Sequence, residues 1–209
     1  MGAEDDVTGG VVDAVAIAAS LGGLDALKSV LGALPEGFPA PVLVVQHRPA
    51  DYRGMLAEIL GRHTPLRVKE AEDGETLRNG TVYLAPPGSH LLVNAGGALS
   101  LSHGPKVRHV RPSADPLFES IALVYGPRAI AVVLTGGDSD GSAGVKFIRK
   151  GGGVVVAQDP QSCAARGMPE SAIATGCVDH VLPLGEIGPA LAAMVTGRSG
   201  AAPVPEAGN

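Results

Sequence analysis

Three residues of this 209-residue chain stand where reactive groups gather in open α/β sheets: Ser20, His47 and Asp140. Ser20 follows the apolar run at 15–19 and precedes Gly22-Gly23 and a helical pattern, which puts it at a strand exit and a helix start. His47 closes the apolar run at 42–45, and Pro49 stops that strand from continuing. Asp140 lies in the loop Thr135-Gly136-Gly137-Asp138-Ser139-Asp140-Gly141, after another apolar run. Parallel strands point the same way, so these exits share one edge of the sheet. A serine hydroxyl is a weak nucleophile at neutral pH and needs a base beside it. An imidazole can take its proton and return it to the leaving group, while a carboxylate fixes the ring's tautomer. Each residue also has a structural alternative: Ser20 as a helix cap, His47 as a solvated residue at a strand end, Asp140 as the cap of the helix that follows. The order Ser, His, Asp differs from the Ser, Asp, His of ordinary α/β-hydrolases, and Ala18 breaks the G-x-S-x-G elbow.

The elements that would position these groups follow from periodicity. A first strand is expected at 11–18, then a helix through Leu24, Leu27, Val30, Leu31 and Leu34 that Pro35 and Gly37 end. A second strand at 42–45 leads to a helix through Met55, Leu56, Ile59 and Leu60, with Asp51 as its cap. Short strand-like runs follow at 66–68, 81–84, 90–93 and 98–101, with Asn94 to Gly97 as a hairpin turn. This insert is expected to be more antiparallel than the rest. A basic loop at 104–112 carries Lys106, Arg108, His109 and Arg111, and Ser113 or Asp115 caps the next helix. Alternation then resumes, with strands at 129–134, 154–157 and 178–182 and helices at 143–150, 168–175 and 187–195. The expected fold class is α/β: a three-layer α/β/α sandwich around a mainly parallel sheet, with a small antiparallel hairpin insert. The expected organisation is a flexible leader at 1–10, one catalytic unit at 11–196 and a disordered tail at 197–209.

Composition narrows the function classes. Aromatic residues make up 3% and hydrophobic residues 45%, with no Trp, so the core is built from Val, Leu, Ile and Ala, as suits a parallel sheet covered by helices. Net charge is −5 and no basic patch compares with that of a nucleic-acid binder. No apolar run is long enough for a membrane span. Cys163 and Cys177 lack C-x-x-C spacing and read as reduced thiols of a cytoplasmic protein. The histidines show no H-x-x-x-H pattern. Asp138 and Asp140 resemble part of a calcium loop, but that register would begin at Gly136 and place Phe147 where the last ligand belongs. No glycine pattern matches a dinucleotide or phosphate loop. No metal and no cofactor are expected.

Seven motifs, in order, carry a resemblance: Ala19-Ser20-Leu21-Gly22-Gly23, Val45-Gln46-His47-Arg48-Pro49, Tyr83-Leu84-Ala85-Pro86-Pro87-Gly88, Arg111-Pro112-Ser113-Ala114-Asp115, Leu134-Thr135-Gly136, Ser139-Asp140-Gly141-Ser142-Ala143-Gly144 and Gly167-Met168-Pro169. Over about 13–195 the chain resembles the catalytic domain of the chemotaxis protein-glutamate methylesterases (CheB type). The resemblance implies Ser20 as nucleophile, His47 as base and Asp140 as its orienter. It implies hydrolysis of γ-glutamyl methyl esters on the helices of methyl-accepting receptors, through an acyl-enzyme and with release of methanol; relatives also deamidate glutamine. Gly137, Leu21 and Gly22 then support the oxyanion loop, and Arg48, Arg108, Arg111 and Ser113 are substrate-side candidates. The basic loop, in an otherwise acidic chain, reads either as a solvated loop or as a surface that meets an acidic receptor helix.

The chain departs from the family pattern in several places. Leu21 stands where threonine is usual, and Arg48 where an apolar residue is usual. T-G-G-D-S-D-G replaces the usual T-G-M-G-x-D-G, so Gly137 takes the place of a methionine whose N–H helps hold the oxyanion. Asp138 adds a second carboxylate near the imidazole and the oxyanion. These changes motivate an alternative, a catalytically weakened or inactive regulatory or docking module on the same fold. A nucleotide-binding α/β domain is a third reading, from fold analogy alone. Most relatives carry an amino-terminal receiver domain. Here about ten residues precede the first strand, so the expectation is a unit without its own receiver, constitutive or served by a separate regulator.

Overall fold

Strand β1 (Ala14–Ala19) is buried along its whole length. A run of Ala, Val and Ile with no polar member has no solvent-facing side, so it settles mid-sheet with helices over both faces. The computed structural model, which describes residues 14–49 and 54–197, places it there. It pairs in parallel with β2 (Val42–Gln46) on one side and β7 (Ala129–Val133) on the other. Beyond β2 lie β4 (Thr81–Leu84) and then β3 (Arg67–Glu70); beyond β7 lie β8 (Val154–Gln158) and β9 (His180–Leu182). All seven strands of this sheet run parallel. A separate antiparallel pair, β5 (His90–Val93) and β6 (Leu99–Ser102), turns through Asn94 to Gly97, where Gly97 N–H donates to Asn94 O at 3.0 Å.

The alternation of β1 side chains divides the core. Val15 and Ile17 face helices α1 (Gly23–Gly32), α2 (Leu56–Gly61) and α6 (Leu184–Val195). Ala14, Ala16 and Ala18 face α3 (Ala114–Tyr125), α4 (Gly144–Lys150), α5 (Gly167–Ile173) and the β5–β6 pair. The alanines leave room on that face, which the fully buried Leu117, Phe118 and Ile121 of α3 fill. Truncating an aromatic of this kind to Ala costs about 3–5 kcal/mol.

The structure corrects the expected middle region. Only β5 and β6 are antiparallel; β3 and β4 join the main parallel sheet. β3 hides this in the sequence because it is an edge strand, and Arg67, Lys69 and Glu70 keep the exposed edge charged. The hydroxyl of Ser20 does not cap α1, whose N-cap is Gly22 at φ 77° with no side-chain cap. Ser113 does cap α3, accepting the Asp115 N–H. Helix α6 starts at Leu184, ahead of the expected 187. The expected leader, the Asp51 cap and the tail beyond Gly197 lie outside the described residues. Among the described residues, no helix is long and apolar enough to cross a membrane.

Candidate active site

Ser20 leaves the central strand with its backbone tied on both sides. Its N–H donates to Thr135 O at 2.9 Å, and its carbonyl accepts from Gly23 N–H and from Gln46 Nε2, each at 2.9 Å. His47 N–H donates to Ala19 O at 3.0 Å, so the serine and the histidine exit neighbouring strands side by side. The loop after β7 passes directly over Ser20. A side chain at Gly136 would collide with Met168 Sδ and come within 3.0 Å of Ser20 Cβ, so only glycine fits. The Ser20 hydroxyl has no hydrogen-bond partner among the described residues, and the same holds for the amides of Leu21 and Gly137.

His47 and Asp140 meet: Nε2 lies 2.8 Å from Asp140 Oδ2. Asp140 is fully buried. Its Oδ1 accepts from Ser113 Oγ at 2.6 Å and its Oδ2 from Ala114 N–H at 2.6 Å. Those donors belong to the start of α3, where amides lack intrahelical partners and the helix dipole favours an anion. Asp140 therefore sits at the amino-terminal start of α3 and does not cap α4, the helix that follows it. The first amides of α4 go instead to Asp115 of α3, whose Oδ1 accepts from Ala143 and Gly144 N–H at 3.0 and 2.8 Å. At this junction Asp115 of α3 serves the start of α4, and Asp140 of the loop before α4 serves the start of α3.

Burial by itself pushes the Asp140 carboxyl up. The His47 hydrogen bond, the Ala114 amide, the Ser113 hydroxyl and the His47 charge outweigh it and hold the group below its ordinary value. Burial likewise pushes His47 down. The hydrogen bond and charge of Asp140, then the charge and hydrogen bond of Asp138, win and leave the imidazole above its ordinary value. Asp138 does point inward: its Oδ2 lies 3.2 Å from His47 Nδ1 and its Oδ1 accepts the Asp140 N–H at 2.8 Å.

Beside His47 opens a cleft of about 350 Å³, lined among others by Arg48, Lys106, His109, Arg111 and Pro112. The substrate-side candidates divide here. Arg48 and Arg111 line the cleft, yet both guanidinium groups hold backbone: Arg48 donates to Ala85 O at 2.8 Å, and Arg111 to His103 O and Gly104 O at 2.7 and 2.6 Å. Arg108 does not line it. Its Nε donates to Asp115 Oδ2 at 3.0 Å and its Nη1 to Ser139 Oγ at 2.9 Å. That grip holds a tight turn in which Arg108 and His109 have φ 49° and 68°, conformations that cost of order 1 kcal/mol each in a residue with a side chain. Ser113 is fully buried and faces Asp140, so it cannot touch a substrate. Leu21 is 66% exposed beside Ser20. Gly22 follows the serine in the β1–α1 loop, and Gly137 follows Gly136, the residue of the β7–α4 loop that packs on Ser20.

Three positioning residues escape a reading of the sequence. Thr135 Oγ1 lies 2.9 Å from Leu21 O and accepts the Ala165 N–H at 2.9 Å, joining the loops around Ser20. Gln158 Oε1 accepts the Thr135 N–H at 3.0 Å; a polar residue closing the apolar run of β8 was its only signal. His90 is buried, accepts the Ser113 N–H on Nδ1 at 3.2 Å and reaches Pro105 O through Nε2 at 3.0 Å. It ties the basic loop to the Asp140 cradle, and a lone histidine in a strand carries no signal for that.

A doubly wound α/β domain with a serine on its central strand exit and a buried His–Asp pair beside it has the layout of a serine hydrolase. The CheB methylesterase family model matches residues 15–191. A protein-glutamate methylesterase of Myxococcus xanthus, FrzG, is 49% identical over 177 residues, covering 85% of this chain and 53% of that protein. A protein-glutamate methylesterase/protein-glutamine glutaminase of Moorella thermoacetica is 42% identical over 190 residues, covering 89% of this chain and 45% of that protein. The crystal structure of the Thermotoga maritima CheB methylesterase catalytic domain superposes with a TM-score of 0.84 at 40% identity, covering 88% of this chain and 98% of that one. This chain belongs to the CheB methylesterase family. It spans about half the length of the two curated relatives named here.

Proposed function

We propose that the chain is a serine hydrolase that removes methyl esters from glutamate side chains of methylated receptor helices, with glutamine deamidation as a second reaction at the same site. The observation that carries this reading is the His47–Asp140 pair, seated at the start of α3 and next to the exit of Ser20. In the reaction, Ser20 Oγ attacks the ester carbonyl as His47 takes its proton. Nε2 is committed to Asp140, so Nδ1 is the nitrogen that serves Ser20. The unpartnered amides of Leu21 and Gly137 are the donors for the developing oxyanion. His47 returns the proton to the leaving methoxide, methanol departs, and water cleaves the acyl-enzyme by the same route in reverse. The family name supports the substrate class, and the basic cleft supports an acidic partner. The catalytic unit is taken as 11–196, working in the cytoplasm.

Methyl-labelled receptor membranes test this directly. Wild-type protein releases volatile methanol and Ser20→Ala does not; equal release from both removes the reading. The second reading, a weakened or silent docking module, draws on Asp138 at Nδ1 and on the unbonded Ser20 hydroxyl. A fluorophosphonate probe separates the two, since labelling of Ser20 that requires His47 belongs to an active hydrolase.

A further inference from the structure

The mechanism above gives Asp138 no task, although this carboxylate touches the reacting ring. Asp138 Oδ2 stands 3.2 Å from His47 Nδ1, and Asp140 Oδ2 stands 2.8 Å from Nε2. A ring with a carboxylate on each nitrogen is satisfied in one state only, the imidazolium, because neutral imidazole has a single N–H. The imidazolium has no lone pair with which to take the Ser20 proton. Asp138 moreover occupies Nδ1, the nitrogen that Ser20 needs.

The two carboxylates differ in how readily they let go. The Asp140 side chain is 0% exposed and is held by Ser113 and Ala114, whereas the Asp138 side chain is 39% exposed and can be hydrated where it stands. Among the described residues, the other charged or titratable groups around His47 are Arg48, just after β2 and paired with Glu70 at 3.4 Å, and Lys106, His109 and Arg111 across the cleft. The cations among these disfavour an imidazolium, with Glu70 offsetting Arg48, so the carboxylates in contact with the ring, Asp138 and Asp140, are what favour it.

We propose that Asp138 is a positioning residue that latches the general base: it holds Nδ1 while the ring is protonated and turns to solvent when the ring loses that proton, handing Nδ1 to Ser20. The proposal rests on the serine-hydrolase reading. The balance is simple. The Nδ1 proton passes to bulk water, the Nε2 proton stays on the Asp140 side, and the Nδ1 lone pair is left facing the Ser20 hydroxyl. A carboxylate facing that lone pair is repelled, and the exposed one is the one free to leave. The upward displacement of His47 by both aspartates is in keeping with such a latch.

The test compares wild type with Asp138→Asn and Asp138→Ala. Asn keeps an oxygen for the Asp140 amide and removes the charge; Ala removes both. Two readouts are taken over about pH 5–9, the range in which imidazoles titrate: the rate at which a fluorophosphonate labels Ser20, and the NMR titration of the His47 ring. Both variants are expected to reach half-maximal labelling at lower pH than wild type and to label roughly three- to tenfold faster near pH 6. His47 is expected to titrate lower in step. Superimposed profiles with an unchanged His47 titration overturn the latch. Slower labelling at every pH with an unmoved midpoint also overturns it, leaving Asp138 a loop brace only. If Ser20 labels in no form of the protein, the hydrolase reading fails, while the His47 titration still decides whether Asp138 acts on the ring.

Discussion

Asp140 and Asp138 reach one imidazole from opposite edges, and they arrive in opposite surroundings. Asp140 enters from below, out of solvent, onto the amides of α3. Asp138 stands partly in water, and among the described residues its side chain is fastened only to the ring and to the Asp140 amide. A single residue of chain, Ser139, separates them, yet one has a permanent seat and the other a replaceable one. The difference teaches that the role of a carboxylate here is set by what else holds it, more than by its distance to the ring.

The hardest way to break this comparison is to remove the inner member. Asp140→Ala leaves Ser113 Oγ and Ala114 N–H buried without their acceptor. It is expected to lower the rate of Ser20 labelling by about a thousandfold or more and to cost about 3 kcal/mol of stability in urea titrations. Asp138→Ala, at a half-exposed position, is expected to stay within about 0.5 kcal/mol of wild type. Equal losses would mean that the two sides of the ring do not differ.

A gentler probe uses salt. Charges on the cleft side are solvent-accessible, so Lys106→Glu is expected to slow turnover of receptor membranes several-fold at about 20 mM salt and much less at about 500 mM. Asp140→Ala should show no such dependence. Steady-state assays at the two salt concentrations check both, and a flat response from Lys106→Glu removes the cleft as an electrostatic guide.

The smallest effect is on stability against pH, and it sharpens the comparison because the two sides act at opposite ends. The folded Asp140 carboxyl is held below its ordinary 3.8, so its contribution is complete above that value and is lost as pH falls through the lower folded pKa. The folded His47 is held above its ordinary 6.5, so its contribution is complete below that value and is lost as pH rises through the higher folded pKa. Asp138→Asn is expected to reduce the alkaline loss and leave the acid loss in place. Thermal melts from acid to mildly alkaline pH measure this; a change confined to the acid side contradicts it.

Much of this architecture was legible in the chain. The continuous apolar runs of β1, β2, β7 and β8 announce buried parallel strands, and placing Ser20, His47 and Asp140 at their exits needs only strand direction. β3 was misread in its pairing because charged residues at a sheet edge look like those of an antiparallel insert. The inward reach of Asp138 could be posed from its spacing but not settled, since the turn that aims it depends on its bond to the Asp140 amide. The roles of Ser113, Arg108 and His90 were hidden for another reason. Each acts on a partner far along the chain, and neither periodicity nor local turn chemistry reports contacts of that range. Ser113 reads as a substrate contact because it stands in one of the seven motifs, and Arg108 because it belongs to a basic loop in an acidic chain; three-dimensional packing makes both of them braces.

The crossed carboxylates of α3 and α4 have a consequence for how reactivity is lost. Asp115 of α3 quiets the first amides of α4, and Asp140 of the loop leading into α4 quiets those of α3, so neither start is complete alone. A fragment holding only one of them would lack half of the socket around His47. Heating that pries the two starts apart takes the seat of Asp140 away together with the α3–α4 junction, so the His47–Asp140 contact and that part of the fold are lost in one step.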